Sequence, residues 1–405
     1  MLKVGQSLLF NQRRWHLRQV RVVGGRRLEL EVVGASEAAQ GMIRPMTAFQ
    51  YGDDLFIKRR GQGYWQAHLQ RDWVDHERGP ALQCQAATWL DLLAAHTGQP
   101  AGGDLKNEFS WSYSRAAKYR QCPRAYYYHY YAAWEGWRKD APAPVRRAYL
   151  LKNLTDLARW TDKLVHEAIK LALMRLKAGQ VVAETELVKH MHGRAQADFK
   201  QSQSGRYRQQ PGQLTGFQEH YYQTGPAPQA WRAAWAKVEH ELRAFLNSEL
   251  YAHLCRQPGS SFLSIEALQS FSLAGTKVWV QIDLVRREGN TIYVYDWKSE
   301  PVEDEELQQQ LGVYGLYVRR TRPEAADPDL RLRAVIYVLG EERLLEFELN
   351  EALLQATQVM IEASSEQLRG LLFDPETNLA QMRRFPMIDD LSVCRQCQFR
   401  ELCGR

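Results

Sequence analysis

Apolar and polar residues alternate along several short runs near the start of the chain, a pattern typical of half-buried β-strands. The clearest runs are residues 17–23, 27–33 and 54–58. Gly24 and Gly25 stand between the first two runs and indicate a turn. The pattern therefore predicts a small antiparallel barrel or sheet.

This β-rich segment is followed by a helical pattern over about residues 80–96. Residues 97–103 read TGQPAGG, which is the composition of a linker. Residues 1–100 are thus predicted to form a small β-rich N-terminal domain of unknown role, which ends in a helix and linker.

The pattern changes from residue 104 onwards, and residues 104–405 are predicted to form a second domain. Residues 104–255 are largely helical in pattern, with a polar loop at residues 201–212. Strands and a helix alternate over residues 262–350, and residues 351–405 hold a C-terminal helix and a cysteine-rich tail. The predicted fold class is α/β.

The two strands predicted at residues 280–285 and 293–298 are separated by Gly289 and Asn290, a two-residue turn signal. If these two residues form the loop, Glu288 faces Thr291. Counting back along both strands then places Asp283 opposite Asp296.

Asp283, Asp296 and Lys298 share one face of this predicted hairpin, while Trp297 points the other way. Two opposed carboxylates repel each other unless a cation lies between them, and a divalent metal ion is the simplest candidate. A lysine beside the metal can stabilise charge that builds on a phosphate. The alternative is a surface hairpin with solvated charges. Glu266 lies on a preceding strand and is interpreted as an exposed residue, with an auxiliary acid as the alternative.

Three of the six cysteines stand close together in the tail, which indicates metal ligation. They are Cys394, Cys397 and Cys403. Among the remaining three we favour Cys122 as the fourth ligand, because Pro123 follows it and an aromatic helix would carry it toward the tail. The spacing leaves zinc and an iron–sulfur cluster equally open.

Composition is that of an enzyme kept in a reducing compartment, and we expect the protein to be cytoplasmic. The chain has 405 residues, of which 45% are hydrophobic and 25% charged. It has no apolar run long enough to cross a membrane and no signal-peptide pattern. A formal net charge of +6 favours polyanionic partners.

Basic and aromatic residues are interleaved around Cys122. Arg115, Lys118 and Arg120 are the predicted nucleic-acid contacts, because cations can hold phosphates while aromatic rings stack on unpaired bases. The tyrosines of residues 126–131 are interpreted mainly as packing residues around the cysteine group.

Residues 110–405 resemble the iron–sulfur branch of the RecB-like nucleases in the PD-(D/E)XK superfamily, which includes the AddB exonuclease domain and the nucleases of CRISPR adaptation. In that family one cysteine precedes the nuclease core and three follow it as C-x2-C-x5-C. The matching residues here are Cys122, Cys394, Cys397 and Cys403. The resemblance implies that these four cysteines bind a 4Fe-4S cluster.

Other motifs carry the same resemblance. His166, in the segment LVHEAI, looks like the family's metal-binding histidine. Asp283 matches the first acidic motif, and Asp296 with Lys298 matches the D-x-K motif. The segment QLGVY at residues 310–314 resembles the family's Q-L-x-x-Y element. One departure is the absence of a glycine before Asp283, from which we expect altered strand packing rather than lost chemistry.

The resemblance implies a restriction-endonuclease-like core with a helical region and an iron–sulfur clamp. It also implies a metal-dependent phosphodiesterase that acts on DNA. His166, Asp283 and Asp296, with the backbone carbonyl of Trp297, would hold Mg²⁺ or Mn²⁺, and Lys298 would assist attack by water. Roles in contacting nucleic acid or supporting the active site are implied for Gln310 and Tyr314.

We predict a single-strand-preferring exonuclease that acts on single-stranded DNA or frayed ends, in DNA repair, recombination or antiviral defence. The sequence holds no GxxxxGK[S/T] phosphate loop, so unwinding would require a helicase or a defence-complex partner. Two alternatives stay open. One is a non-cleaving iron–sulfur adaptor that binds DNA, and the other is a zinc-containing protein whose hairpin is incidental.

Overall fold

The computed structural model describes most of the chain and divides into two compact units. The described residues are 7–10, 13–24, 27–34, 43–51, 54–58, 64–68, 107–225, 228–301, 303–327 and 329–405. The first unit comprises Met1–Phe109, Ala117–Asn153 and Gln367–Arg405, and the second comprises Ser110–Ala116 and Leu154–Glu366. The predicted helix at residues 80–96 and the linker after it lie outside the described residues.

An antiparallel sheet forms the described N-terminal part of the first unit. Its strands follow one another in chain order, each paired with the next. They are β1 (Ser7–Phe10), β2 (Arg13–Gly24), β3 (Arg27–Gly34), β4 (Ile43–Tyr51), β5 (Asp54–Lys58) and β6 (Tyr64–His68). The three strands predicted from the alternating pattern are therefore confirmed.

A mixed sheet lies at the centre of the second unit. Its strands are β7 (Ser110–Trp111), β10 (Phe262–Leu273), β11 (Thr276–Glu288), β12 (Thr291–Lys298), β13 (Arg331–Val338) and β14 (Arg343–Glu348), while β8 (Leu154–Thr155) and β9 (Gly216–Phe217) form a separate parallel pair. The order is β10-β11-β12-β13-β14, with β7 also paired to β11. Because β12 and β13 are parallel and the other neighbours in this order are antiparallel, the α/β prediction is confirmed.

Helices surround this sheet. They are Leu157–Lys177, Glu184–Gln203, Gln218–Tyr221, Pro228–Leu246, Glu249–Cys255, Asp304–Thr321 and Glu351–Gly370, with short 3₁₀ turns at Arg206–Arg208, Gly259–Ser261, Pro323–Ala326 and Leu339–Glu341. Among the described helices, none combines the length and apolarity that a membrane span requires.

The rest of the first unit consists of short helices and two short strands, and it includes the C-terminal tail of the chain. Its elements are Tyr113–Gln121, which begins in the second unit, Pro123–Tyr127, the π-helix Tyr128–Ala132, Ala143–Lys152, the short strands β15 (Leu372–Asp374) and β16 (Leu379–Ala380), Leu391–Gln396, and 3₁₀ turns at Met382–Arg384 and Arg400–Cys403. Tyr126, Tyr127 and Tyr128 are fully buried, and the first two stack or tilt against Phe385. The packing role predicted for these tyrosines is confirmed.

The helix Leu157–Lys177, here called the histidine helix, carries His166. It begins at Leu157, because residues 154 and 155 form β8 and Asp156 is the N-cap. The Asp156 carboxylate accepts a hydrogen bond from the Arg159 amide at 2.7 Å, which satisfies one of the free donors of the first turn. Gly179, with a φ of +75°, follows its C-terminus.

Two layers of helix cover opposite faces of the sheet. The histidine helix and Pro228–Leu246 pack on the face that carries Leu284, Tyr295 and Trp297. Because side chains alternate along a strand, Asp283, Asp296 and Lys298 belong to the other face. The helix Asp304–Thr321 provides partners on that face, through the hydrogen bonds of Gln310 described below.

Two glycines allow the helices Asp304–Thr321 and Glu351–Gly370 to pack closely. A Cβ atom added at Gly312 would lie 1.9 Å from the Thr357 Oγ1 atom, and one at Gly315 would lie 2.6 Å from Leu354. We expect Gly312→Ala to lower the free energy of unfolding by about 1–3 kcal/mol in urea titrations, because the helices must separate. Gly193→Ala is the control, since a Cβ atom there meets nothing within 4 Å. It should raise stability by roughly 0.5–1 kcal/mol, and equal effects of the two changes would contradict the prediction.

Candidate metal and active site

The β11–β12 hairpin has the predicted register. Glu288 pairs with Thr291 across Gly289, whose φ is +56°, and the pairing continues to Leu284 and Tyr295. Asp283 and Asp296 come next in this count, but their backbones do not pair. Instead the Asp283 Oδ2 atom accepts a hydrogen bond from the Trp297 amide at 2.7 Å. The two strands therefore separate at the point where the two carboxylates stand.

Three potential metal ligands meet at this opening. The His166 Nδ1 atom lies 3.2 Å from Glu266 Oε1 and 3.5 Å from Asp283 Oδ1. One ligand atom from each of these residues lies within 4.8 Å of the others. One imidazole nitrogen and two carboxylates form a donor set that suits Mg²⁺ or Mn²⁺ and also accommodates other divalent transition metals.

The charges in this group depend on one another. Burial and the neighbouring charge of Asp296 raise the pKa of Asp283 to about 7. Burial alone lowers the pKa of His166, but Asp283 and Glu266 outweigh it and raise that pKa to about 11. Burial raises the pKa of Glu266, yet hydrogen bonds from His166 and Gln281 bring it below its usual value. A proton on His166 thus balances the carboxylates where a metal cation would do so.

Glu266 is the residue that the sequence interpretation misjudged. Its side chain is only 7% exposed, so the description as an exposed strand residue is wrong. Its φ is +47°, and its neighbours Ile265 and Ala267 pair with Leu284 and Ile282, so Glu266 stands opposite Asp283. Counting back from the Ala274-Gly275 turn, as was done for the next hairpin, would have placed it there.

Asp296 and Lys298 form an ion pair beside this group, with 2.6 Å between Lys298 Nζ and Asp296 Oδ2. The Gln310 side chain accepts a hydrogen bond from Lys298 Nζ at 3.0 Å and donates one to Asp296 Oδ1 at 3.2 Å. The Tyr314 hydroxyl donates to the same Oδ1 atom at 3.1 Å. Asp296 Oδ2 is buried and, among the described residues, has no hydrogen-bond partner besides Lys298 in the ion pair. The structure thus brings Lys298, Gln310 and Tyr314 together around Asp296.

Trp297 lies between Asp296 and Lys298 in the chain, and its backbone contacts Asp283. Its amide donates to Asp283, and its ring packs 5.2 Å from that of Phe245 in the core. This packing fixes the backbone between Asp296 and Lys298. The metal-binding role of its carbonyl stays a prediction.

The four predicted cluster cysteines belong to the first unit and influence one another electrostatically. Burial raises the pKa of Cys397, and the neighbouring Cys122 and Cys394 raise it further. Burial also raises the pKa of Cys403 to about 11, with smaller contributions from Cys397 and Cys122. In the described part of the chain no three of these thiols bring their sulfur atoms within 4.8 Å of one another, so the iron–sulfur cluster stays a prediction.

Hydrogen-bond donors lie close to three of these sulfur atoms. Backbone amides of Ala125 and Phe399 donate to Cys122 and Cys397 at 3.5 and 3.4 Å. An Arg405 guanidinium nitrogen lies 3.3 Å from the Cys394 sulfur. Hydrogen bonds and cations at sulfur stabilise negative charge, as ligands of an iron–sulfur cluster require.

The predicted DNA contacts lie on the helix Tyr113–Gln121. Arg115 is half-buried and donates to the Ser110 carbonyl at 3.1 Å. Lys118 lies close enough to Cys397 to lower the pKa of its thiol, and Arg120 is exposed. Their part in binding DNA stays a prediction.

Comparison with known proteins supports the predicted superfamily over the part of the chain that follows residue 109. Residues 110–404 match the family model described as PD-(D/E)XK nuclease superfamily. No curated protein sequence matches the chain. Among solved structures, the chain is similar to SSO0001, with 19% identity, a TM-score of 0.23, and coverage of 46% of this chain and 77% of that one. The family match covers most of the chain, which therefore belongs to the PD-(D/E)XK nuclease superfamily.

Proposed function

We propose that this protein is a metal-dependent deoxyribonuclease that removes nucleotides from the ends of single-stranded or frayed DNA. The observation that carries this proposal is the meeting of His166, Glu266 and Asp283 beside the Asp296–Lys298 pair. Three metal ligands next to a lysine held at fixed distance form a complete set for phosphodiester hydrolysis.

His166, Glu266, Asp283 and Asp296, with the Trp297 carbonyl, would hold Mg²⁺ or Mn²⁺. A metal bound there stabilises charge on the phosphate and lowers the pKa of bound water. The carboxylates meet where β10, β11 and β12 run side by side, and this sheet keeps them near each other before any ion arrives.

Lys298 would neutralise charge that develops on the phosphate and orient the attacking water. Gln310 acts as a positioning residue, because it contacts both Lys298 Nζ and Asp296 Oδ1. The Tyr314 hydroxyl donates to the same Asp296 oxygen. Together they keep the ammonium group beside the metal ligands.

The four cysteines would bind a 4Fe-4S cluster with a structural role. Backbone amides and a guanidinium group donate to the sulfurs of Cys122, Cys397 and Cys394, where they can stabilise thiolate charge. The cluster would join Cys122 to the C-terminal tail and so shape the path of a strand. Arg115, Lys118 and Arg120 would bind phosphates along that path. Unwinding would come from a helicase or defence-complex partner in repair, recombination or antiviral defence.

Cleavage of end-labelled DNA by anaerobically purified protein with Mn²⁺ tests the proposal. We expect linear single strands to shorten from an end, circular single strands to stay intact, and blunt duplexes to be cut more slowly. Binding without cleavage of any substrate would contradict the nuclease proposal and favour the non-cleaving adaptor.

The role of Glu266 can be tested through metal binding. We expect Mn²⁺ to raise the Tm of the wild-type protein, because the ion binds the folded state, and EDTA to reverse this rise. Glu266→Gln should weaken Mn²⁺ binding by at least about tenfold in calorimetric titrations, since it removes a negative ligand. Glu348→Gln, an exposed change on β14, is the control. Equal Mn²⁺ affinity in the Glu266→Gln and wild-type proteins would contradict this role.

A further inference from the structure

A cavity of about 290 Å³ opens beside Lys298 on the face of the sheet that carries the active site. Its floor is formed by Ile336 and Val338 of β13, which are almost fully buried. Leu345 and Phe347 of β14 form a half-buried wall. The mechanism proposed above uses only Lys298 among these residues.

Strand register explains why the cavity adjoins the site. Lys298 pairs with Val338, and Val338 pairs with Arg343 on the far side. Neighbouring strands lie about 4.8 Å apart, so the Arg343 backbone is about 10 Å from that of Lys298. Paired residues share a face, so both cations stand on the face of the cavity, one at each side of its apolar floor. Anionic phosphates alternate with flat apolar bases along a nucleic acid strand, which complements two cations with an apolar floor between them.

We propose that this cavity, here called the base pocket, binds one unpaired nucleobase of the DNA strand, next to the phosphate that is cut. This inference rests on the proposed function and assigns it a substrate-selecting element. Phe347 would stack on the base, and Arg343 would contact the next phosphate. The ion pair of Arg343 with Glu341 is exposed, with 3.1 Å between Nε and Oε2, and therefore does not prevent this contact.

The base pocket explains a preference for single strands. Pockets that hold drug-sized ligands measure about 300–1,000 Å³, so this cavity suits a single base and little more. A base in a duplex must leave its partner and its stack before it can enter, which costs a few kcal/mol. Unpaired ends escape that cost.

A coupling experiment tests the pocket. Single-stranded oligonucleotides carry one abasic residue at successive positions near the cleaved end, and kcat/KM is measured for the wild type, Phe347→Ala and Phe347→Tyr. We expect the missing base at one position to lower the wild-type value roughly tenfold. Phe347→Ala should lower kcat/KM on the intact strand by the same factor, and removal of the base at that position should then lower it no further. Phe347→Tyr should respond to the missing base as the wild type does.

Leu344→Ala is the matched control, because Leu344 is on the same strand but is 47% exposed and points away from the pocket. It should behave as the wild type does. Binding of the same oligonucleotides is measured in parallel without metal. If the wild type does not cut, the proposed function is contradicted, but the binding data still test the pocket. An abasic effect of equal size in the wild-type and Phe347→Ala proteins, in cleavage and in binding, would overturn the base pocket.

Arg343→Gln provides a second test that does not disturb packing, because Arg343 is exposed. It should weaken binding several-fold and reduce the slope of log affinity against log salt by about 1. Arg331→Gln, an exposed change at the other end of β13, should leave that slope unchanged. Equal slopes for wild-type and Arg343→Gln proteins would contradict the phosphate contact.

Discussion

Lys298→Ala should abolish most DNA cleavage, with kcat lower by on the order of 10²–10³-fold. The Lys298 ammonium group lies 2.6 Å from Asp296 and 3.0 Å from Gln310, so it is held in place beside the proposed metal ligands. Alanine removes this charge without adding bulk. The measurement is a time course on end-labelled single-stranded DNA with Mn²⁺, together with the Tm of each protein.

Lys237→Ala is the control for this change. Lys237 lies in the same unit and also pairs with acidic residues, at 3.1 Å from Glu300 and 3.7 Å from Glu241, which are not among the proposed metal ligands. It should cut DNA at the wild-type rate. Wild-type cleavage by a folded Lys298→Ala protein would remove the lysine from the mechanism.

Cys122→Ser should yield a colourless protein that holds little iron and has a Tm lower by about 5–10 °C. Cys122 is also the N-cap of the helix Pro123–Tyr127, where its sulfur accepts the Ala125 amide. Serine is a good N-cap residue, so the cap is preserved and the loss of stability reports on the cluster. Iron content, visible absorption and thermal unfolding measure the effect.

Cys255→Ser is the matched control, because Cys255 is a free, half-buried thiol of the second unit, outside the predicted cluster. It should keep the iron and the colour of the wild type. A Cys122→Ser protein that stays coloured would exclude Cys122 as a ligand. Zinc in place of iron in the wild type would favour the zinc alternative that the spacing leaves open.

The β11–β12 hairpin shows which features local sequence rules can predict. The Gly289-Asn290 turn and the strand period were sufficient to predict the pairing of Glu288 with Thr291. The same count placed Asp283 next to Asp296, and the structure has both carboxylates in one site. It did not predict that the strands separate there, because the Asp283 side chain takes the Trp297 amide that a ladder would otherwise use.

Glu266 shows where local rules stop. Its side chain contacts His166, which lies a hundred residues earlier in the chain. The contact of His166 with Glu266 and Asp283 depends on packing between helix and sheet, which no spacing in the sequence encodes.

The sequence by itself determined three of the described strands of the N-terminal sheet, the turn and register of the β11–β12 hairpin, and the residue types available for metal chemistry. These follow from the backbone period and from turn residues, which act over a few positions. Only the tertiary structure decided that Glu266 joins His166 and Asp283, that Gln310 and Tyr314 hold Asp296, and that a pocket opens between Lys298 and Phe347. Those relations join distant segments, and their physical reason is the packing of helices on opposite faces of one mixed sheet.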